Sequence, residues 1–320
     1  MSTNIKNLID RTYREYLEPM EDMVSYTVLS GTLSTSDTSV GFNGDLLSIE
    51  EEDALDAGTI IEIGQELMIC TELNAVTNSI TVTRAARGTT ATTHDAGDVI
   101  KITPQFPRVN VFNAVKDQIE NLYPTLYAVE TQTISSAVGY VALVGADDNR
   151  IVAPLKAVSQ YQELDAGNQT TVQFRGVAME LIDVPTTVTA SGKVVQFSGV
   201  STGVNVHCTF KKKFGEVKDY DSDGDAEDTT LAEIGLETEY EPIIMAGVAA
   251  QMIAGKDIPT YTSDYITEQM AVTNYPVNSS SNIRNSLLQY QQVLINQARK
   301  DLRARYPEPV SLNSVVYPSA

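Results

Sequence analysis

Apolar residues recur at helical spacing in four separate stretches of the chain. In the first stretch, Ile5 and Ile9 mark one face of a helix. Ser2 or Thr3 can cap this helix, and Pro19 can stop it. Pro107 suits the first turn of the second helix. Each helix has a single apolar stripe, so each needs a partner to cover it.

The third and fourth helices lie in the last quarter of the chain. Pro242 suits the first turn of the third helix, and Gly255 suits its exit. The fourth helix is long: it is capped within residues 279–281, carries apolar residues at spacings of three and four, and ends at Pro307. Basic residues in its last turns complement the negative end of the helix dipole.

Between the helices the period changes to two, which is typical of strands. Runs such as TIIEI and SITVT occupy the first such region, and KVVQF and VNVHCTF the second. The pattern predicts an α+β fold, a four-helix body with two inserted antiparallel β modules: a small β module and a β-sandwich or barrel. The predicted segments are a helix in 1–23, the small β module in 24–104, a helix in 105–130, the sandwich or barrel in 131–218, an acidic loop in 219–238, the last two helices in 239–306 and an extended arm in 307–320.

The chain is strongly acidic. Its 320 residues include 42 Asp and Glu against 22 Lys and Arg, a formal net charge of −20 at pH 7, which argues against a conventional nucleic-acid-binding surface. Residues 41–100 hold eleven acids and two bases, net −9, and residues 215–241 hold eleven acids and one base, net −10. The last strong charge cluster is basic: Arg299, Lys300, Arg303 and Arg305 surround a single Asp301. Charge is therefore segregated by segment, which indicates segregation by surface.

The acidic loop contains part of a metal-binding pattern. Asp219, Asp221, Asp223 and Asp225 alternate along the chain, as in the first half of an EF-hand calcium loop. The twelfth position of that pattern is Thr230, where a bidentate glutamate belongs. We therefore expect a solvated acidic loop and no cofactor, with a calcium site at the four aspartates as the alternative.

Two cysteines and two histidines are the other candidates for chemistry. Cys70 and Cys208 each stand alone in a strand-like run, so we expect two half-buried free thiols from a reducing compartment. His207 and Cys208 are adjacent in a strand, and their side chains point to opposite faces. Packing therefore explains His94 and His207 better than catalysis does. No phosphate loop, dinucleotide fingerprint or nucleophile elbow occurs, and we expect no enzymatic activity.

The third helix, IIMAGVAAQMIAG, is rich in small residues. Ala246, Gly247 and Ala250 allow neighbouring backbones to approach closely, at a cost in helix propensity at the glycine. Two interpretations remain open: tight packing inside the subunit, or a contact between subunits of an oligomer.

The run SITVTRAARGTTATTHDAGDVIKI combines a strand, Arg84, the Arg87-Gly88 pair, a Thr- and Ala-rich turn with His94, and Gly97 before a returning strand. This combination resembles a module common in virion proteins of tailed bacteriophages. We expect the two glycines to bracket a wide loop between paired strands. We also expect the two arginines to pin this loop or to meet the nearby acids.

The C-terminal part adds a second resemblance. A small-residue helix, a Tyr-rich link, a long helix ending in ARKDLRARYPEP and an extended tail resemble the helical body of head-to-tail connector (adaptor) proteins, which form rings beneath the portal. The resemblance implies a non-enzymatic virion protein at the neck of a tailed phage. It further implies a homo-oligomeric ring of about twelve copies, a dodecamer, that joins the portal protein to a tail or terminator protein around the DNA channel.

This hypothesis assigns contacts to three regions. The expected oligomer and partner contacts are Ala246, Gly247, Ala250, Arg299, Lys300, Arg303, Arg305, Val310, Leu312, Val315, Val316 and Tyr317. The basic cluster and the arm are expected to dock to a neighbouring ring, the arm by adding a strand to an exposed edge. Acidic surfaces facing the channel would repel phosphates and let DNA pass without sequence-specific binding.

Other functions remain as alternatives. The chain could be another tail or baseplate structural protein, or a calcium-dependent surface-binding module centred on the acidic loop. A carbohydrate-active enzyme is disfavoured, because the chain has no Trp and only 7% aromatic residues.

No targeting or membrane segment is evident in the sequence. The N-terminus lacks the apolar core of a signal peptide. The longest apolar stretch of low charge, residues 243–255, has 13 residues, against about 20 needed to span a bilayer. We expect synthesis in the host cytoplasm, a place in the virion and no membrane contact.

Overall fold

The structure is a computed structural model, and it describes residues 4–20, 25–43, 55–74, 76–137, 139–145, 147–164, 170–218, 228–254 and 280–307. The chain divides into two compact units, one formed by residues 1–121 and 216–294 and the other by residues 122–215 and 295–320. The described residues form helices, a closed barrel and two further sheets, so the predicted α+β class is confirmed.

Four α-helices lie in the described part of the chain. They are α1 (Ile5–Thr12), α2 (Arg108–Leu122), α3 (Glu241–Ile253) and α4 (Ser280–Arg305). As predicted, Pro107 directly precedes α2, Pro242 lies in the first turn of α3 and Pro307 follows α4. Gly255, the predicted exit of α3, lies outside the described residues.

Both ends of the first helix differ from the prediction. The cap is Asn4, whose side chain accepts a hydrogen bond from the Asn7 backbone N–H at 2.9 Å, so capping by Ser2 or Thr3 is wrong. After α1 the chain continues as a π-helical segment, Tyr13–Leu17, and then as a 3₁₀ turn, Glu18–Met20. Pro19 lies inside that 3₁₀ turn, so the helical path continues past the predicted stop. Short 3₁₀ turns are common at the ends of α-helices.

The first β module is a closed barrel. Its strands are β1 (Ser25–Leu29), β2 (Ser39–Asn43), β3 (Ile60–Ile63), β4 (Glu66–Asn74), β5 (Ser79–Thr83) and β6 (Val99–Ile102). The order around the barrel is β1-β2-β5-β4-β3-β6, and β6 closes the ring by pairing with β1, with Ser25 opposite Ile102. Buried apolar side chains such as Val40, Ile61 and Ile80 fill the interior.

The closure corrects the predicted pairing around the phage-like motif. Strands β5 and β6, which flank the motif, are not paired with each other: β5 lies between β2 and β4, and β6 lies between β3 and β1. The prediction of a loop between paired strands is therefore wrong. The reason is long-range pairing, since β1 and β3 both pair with β6 from distant parts of the chain.

The second unit contains two sheets around one core. Its strands are β7 (Ala128–Ser135), β8 (Tyr140–Ala142), β9 (Ile151–Leu164), β10 (Thr170–Gly176), β11 (Ala178–Asp183), β12 (Lys193–Ser198) and β13 (Asn205–Lys212). One sheet has the order β10-β9-β13-β7 and the other β11-β12-β8. Both contribute buried side chains to a shared core that includes Val195, Cys208 and Phe210. The unit therefore has the sandwich arrangement.

In the first unit, the barrel and the helices are packed together. Ile5, Leu8 and Ile9 of α1 are buried, and α1 contacts α3. Leu67 of β4 and Val109 of α2 share a small apolar cluster. Burying each such side chain contributes about 1.5–3 kcal/mol, so the helices and the barrel stabilise one another.

Polar contacts also join the barrel to the helices. The backbone N–H of Arg108 donates to Glu62 Oε1 at 2.6 Å, at the start of α2. The Arg108 side chain forms an ion pair with Asp10 of α1 at 2.8 Å. The hydroxyl of Tyr13 donates to the backbone carbonyl of Phe106. These contacts position the second helix against the barrel wall.

Candidate functional site

The phage-like motif is organised around a buried carboxylate that the sequence analysis did not identify. Glu66 begins β4, and its side chain is fully buried. Its Oε1 accepts hydrogen bonds from Arg84 Nε at 2.6 Å and from the Ala85 N–H at 3.1 Å. Its Oε2 accepts from Arg84 Nη2 at 2.6 Å, from the Thr92 N–H at 3.1 Å and from His94 Nε2 at 2.9 Å. We call Glu66, Arg84 and His94 the barrel lock.

Through this lock, Arg84 connects two loops with the start of strand β4. Its Nη1 donates to the carbonyls of Ser34 and Asp37, at 2.7 and 2.9 Å, in the loop between β1 and β2. Its Nη2 also donates to the Thr92 carbonyl at 2.6 Å. With the two bonds to Glu66, all five N–H groups of the guanidinium have an acceptor. The prediction that Arg84 pins the motif loop is confirmed.

The loop that the lock holds has an unusual backbone. Ala85 and Arg87 both have left-handed conformations, with φ of 55° and 54°. This conformation is energetically unfavourable for residues other than glycine, so surrounding contacts must hold it in place. The hydrogen bond from the Ala85 N–H to Glu66 is one such contact. Gly88, with φ of 85°, continues the left-handed path without that cost.

The electrostatics of the lock favour an ionised carboxylate. Burial alone raises the pKa of Glu66, but the hydrogen bonds from Arg84, His94 and the two backbone N–H groups outweigh burial and lower the pKa to about 2. Glu66 is thus an anion at neutral pH, paired with a guanidinium whose side chain is 7% exposed.

The other motif residues divide between the lock and the surface. His94 is buried as expected, but it bonds to Glu66 and also pairs its backbone with Leu33. Arg87 is exposed and makes no hydrogen bond or ion pair with any residue that the structure describes. Glu66 was missed because it precedes Arg84 by 18 residues and carries no motif of its own.

The small residues of α3 are packed inside the subunit. Ala246, Gly247 and Ala250 are all buried by the chain itself. A Cβ atom at Gly247 would lie 2.1 Å from Gln118 Oε1 and 2.2 Å from Gln291 Nε2, so a larger residue would force these amides to move from their present positions. Packing within the subunit, one of the two interpretations, is therefore what the structure shows. Contact between subunits stays a prediction.

Amide side chains join three helices above Gly247. Gln291 of α4 donates through Nε2 to Gln118 Oε1 of α2 at 2.8 Å and to the Ile243 carbonyl of α3 at 3.1 Å. Gln118 donates in turn to Gln251 Oε1 at 3.2 Å. These bonds satisfy the polar groups where the helices meet and fix their mutual position.

The C-terminal half of α4 has a charged, exposed end. The apolar stripe predicted along the whole of α4 is buried at Ile283, Leu287 and Leu302, and the stripe residues between Leu287 and Leu302 are half-buried. The predicted contact residues Arg299, Lys300, Arg303 and Arg305 are all exposed. A positive surface is therefore present at this end of the helix.

No protein-family model and no curated protein matches the sequence. Within the described ranges, no helix is both long and apolar enough to cross a membrane.

Two groups of predicted site residues lie outside the described residues. One is the acidic set Asp219, Asp221, Asp223 and Asp225, and the other is the arm set Val310, Leu312, Val315, Val316 and Tyr317. Among the residues that are described, no group of three or more His, Cys, Asp or Glu side chains is placed to hold a metal ion.

The remaining cysteine and histidine expectations are corrected in part. Cys70 and Cys208 are free thiols as predicted, but both are fully buried rather than half-buried. Burial raises the pKa of the Cys208 thiol to about 12. His207 does point away from Cys208, yet it lies half-buried on the open sheet face, where it bonds to Thr133 at 2.9 Å and Gln160 at 3.1 Å. Core packing is therefore the wrong explanation for His207.

A cleft between the π-helical segment and the barrel was also missed. It encloses about 310 Å³, and Tyr13, Arg14, Glu62, Gly64 and Lys101 are among the residues that line it. The Lys101 ammonium lies 4.9 Å from the centroid of the Tyr13 ring, a cation–π distance. Side chains of both charges line the cleft. This feature depends on helix and barrel meeting in space, which no local sequence pattern reveals.

Proposed function

We propose that this chain is a non-enzymatic structural protein of a tailed-phage virion, a ring-forming head-to-tail adaptor that links portal to tail around the DNA channel. The ring is a homo-oligomer of about twelve copies, as the resemblance implies. In the proposal, acidic surfaces of the ring face the channel, where their charge repels the phosphates of passing DNA. The arm, residues 307–320, docks to the portal ring.

The barrel lock is the observation that carries this proposal. The phage-like resemblance rests on Arg84, Gly88 and His94, and each has a structural role in one loop assembly. Arg84 and His94 both bond to Glu66, and Gly88 adopts the left-handed conformation that the same loop requires. This shared role supports the interpretation of the motif as a folding unit of a virion module.

The architecture supplies secondary support. The described residues form a barrel, a sandwich and four α-helices, and the basic end of α4 is exposed. Scaffolds of this kind suit mechanical coupling, since rigid modules transmit contacts between neighbouring rings.

Native mass spectrometry of the purified full chain tests the proposal. We expect a closed oligomer, with class averages in electron microscopy showing rotational symmetry down one axis. Removal of residues 308–320 is expected to leave the oligomer intact and to abolish capture of the portal protein. A chain that remains monomeric at high concentration, or that is missing from assembled particles, would contradict the proposal.

A further inference from the structure

The exposed basic end of α4 has more positive charge than helix stability requires. Arg303 and Arg305 lie in the last turn, where cations favourably meet the negative end of the helix dipole. Arg299 and Lys300 lie a turn earlier, and the dipole effect falls off within the last turn. Dipole compensation therefore leaves these two cations unexplained.

Three of the cations form one surface. Arg299, Lys300 and Arg303 occupy positions i, i+1 and i+4, within an arc of about 100° around the helix. All three are exposed, and none makes an ion pair with a residue that the structure describes. We call these three residues the α4 cluster.

We propose that the α4 cluster binds the acidic segment 219–228 of a second copy of this chain. The inference rests on the proposed ring, and it assigns this acidic segment to the subunit contact rather than to the channel. In a cyclic ring each subunit presents two different patches, one to each neighbour. A cationic patch on one side and an anionic patch on the other meet this requirement.

Charge complementarity selects the occupant. The segment reads DYDSDGDAED, with six acids and no basic residue, inside the window of net charge −10. Copies that each carry −20 repel one another, and a contact that brings opposite charges together offsets part of this repulsion. The α4 cluster belongs to a group of four cations around one aspartate, and the segment holds six acids in ten residues.

A charge-reversal experiment tests the inference. The first variant carries Arg299→Glu, Lys300→Glu and Arg303→Glu, and the second carries Asp221→Lys, Asp223→Lys and Asp225→Lys. Analytical ultracentrifugation of each variant alone should show at least a roughly tenfold shift of self-association to higher concentration, because several contact charges now repel. An equimolar mixture of the two should restore association, since each reversed patch meets a complementary one.

A matched control separates local contact from total charge. Lys156→Glu, Arg175→Glu and Arg284→Glu make the same change in net charge at exposed positions away from the cluster. We expect this control to associate like the wild type in the same buffer. Circular dichroism checks that every variant is folded.

The outcomes distinguish the two proposals. If the wild type itself does not associate, the proposed ring fails and the inference fails with it. If the wild type associates and the α4 variant associates equally well, the inference alone is overturned. If association returns only when both triple changes are placed in one chain, and not in the mixture, the segment binds within its own subunit and the inference is likewise overturned.

Discussion

Replacing Glu66 by Gln removes the charge of the barrel lock while keeping the shape of the side chain. Glu66 Oε1 accepts two hydrogen bonds and Oε2 accepts three. An amide nitrogen in place of either oxygen leaves at least two buried donors facing another donor. The Arg84 cation also loses its buried counter-ion.

Two estimates of the cost agree. Removing one partner of a buried ion pair typically destabilises a protein by about 3–5 kcal/mol. Burial raises the pKa of Glu66 and the hydrogen bonds lower it, and the net lowering from 4.5 to about 2 corresponds to about 3 kcal/mol at neutral pH. We therefore expect Glu66→Gln to reduce the free energy of opening of the barrel by about 3 kcal/mol.

Hydrogen–deuterium exchange measured by mass spectrometry suits this test, because it reports on the barrel separately from the second unit. A loss of about 3 kcal/mol corresponds to roughly a hundredfold faster exchange of protected amides in β4 and β5. The matched control is Glu72→Gln, an exposed glutamate on the same strand, for which we expect a change within about 0.5 kcal/mol.

The pH dependence gives the sign of the effect independently. A carboxylate with a lowered pKa stabilises the fold above its unfolded pKa, and this contribution is lost as the pH falls through the folded pKa. After correction for intrinsic exchange rates, the difference between wild type and Glu66→Gln should shrink as the pH falls from about 4.5 towards 2. Less than a tenfold effect at pH 7, or an equal effect of Glu72→Gln, would refute the reasoning.

Three further predictions concern the helices and the thiols. Gly247→Ala should destabilise the first unit by about 1 kcal/mol in urea unfolding, because overpacking of about 1–3 kcal/mol exceeds a helix-propensity gain of about 1 kcal/mol. The same change should stabilise a variant already carrying Gln118→Ala and Gln291→Ala; a further loss there would contradict the packing explanation. Asn4→Ala should cost about 1 kcal/mol through loss of the α1 cap, whereas an unchanged unfolding midpoint would show that the cap contributes nothing. A maleimide reagent should label Cys208 only after unfolding, because the thiol is buried and its pKa is raised to about 12. Rapid labelling of Cys208 in the native chain would disprove the burial of this thiol.

Helix positions could be predicted from sequence because their signals are local. A proline before or within the first turn marks α2 and α3, and Pro307 follows α4. The cap of α1 was misplaced because Ser, Thr and Asn stand in a row, and all three are good caps. Choosing among them depends on where the chain enters the helix. Here Asn4 pairs its backbone with Thr230, far along the sequence.

Barrel closure and the lock could not be predicted, because both depend on pairing across long stretches of sequence. The motif itself identified Arg84 as a pinning residue, since an arginine after a strand and before a glycine-rich turn has obvious carbonyl partners. Glu66 stands in an ordinary strand run, and it becomes special only when β4 lies beside β5. Strand alternation correctly placed His207 and Cys208 on opposite faces. It did not show which face is covered, so the full burial of Cys208 and the open-face position of His207 were both missed.

The pairing of Ser25 with Ile102 places the entry and exit of the barrel side by side. Paired residues on neighbouring antiparallel strands lie about 5 Å apart, so the whole six-stranded module is inserted at what amounts to one point of the helical body. Modules whose ends meet can be gained or exchanged during evolution at a single position of the host domain. A short linker joining residues 24 and 103 is the place to begin excision of the barrel, and the excision also removes the contacts that Leu67 and Glu62 make with α2.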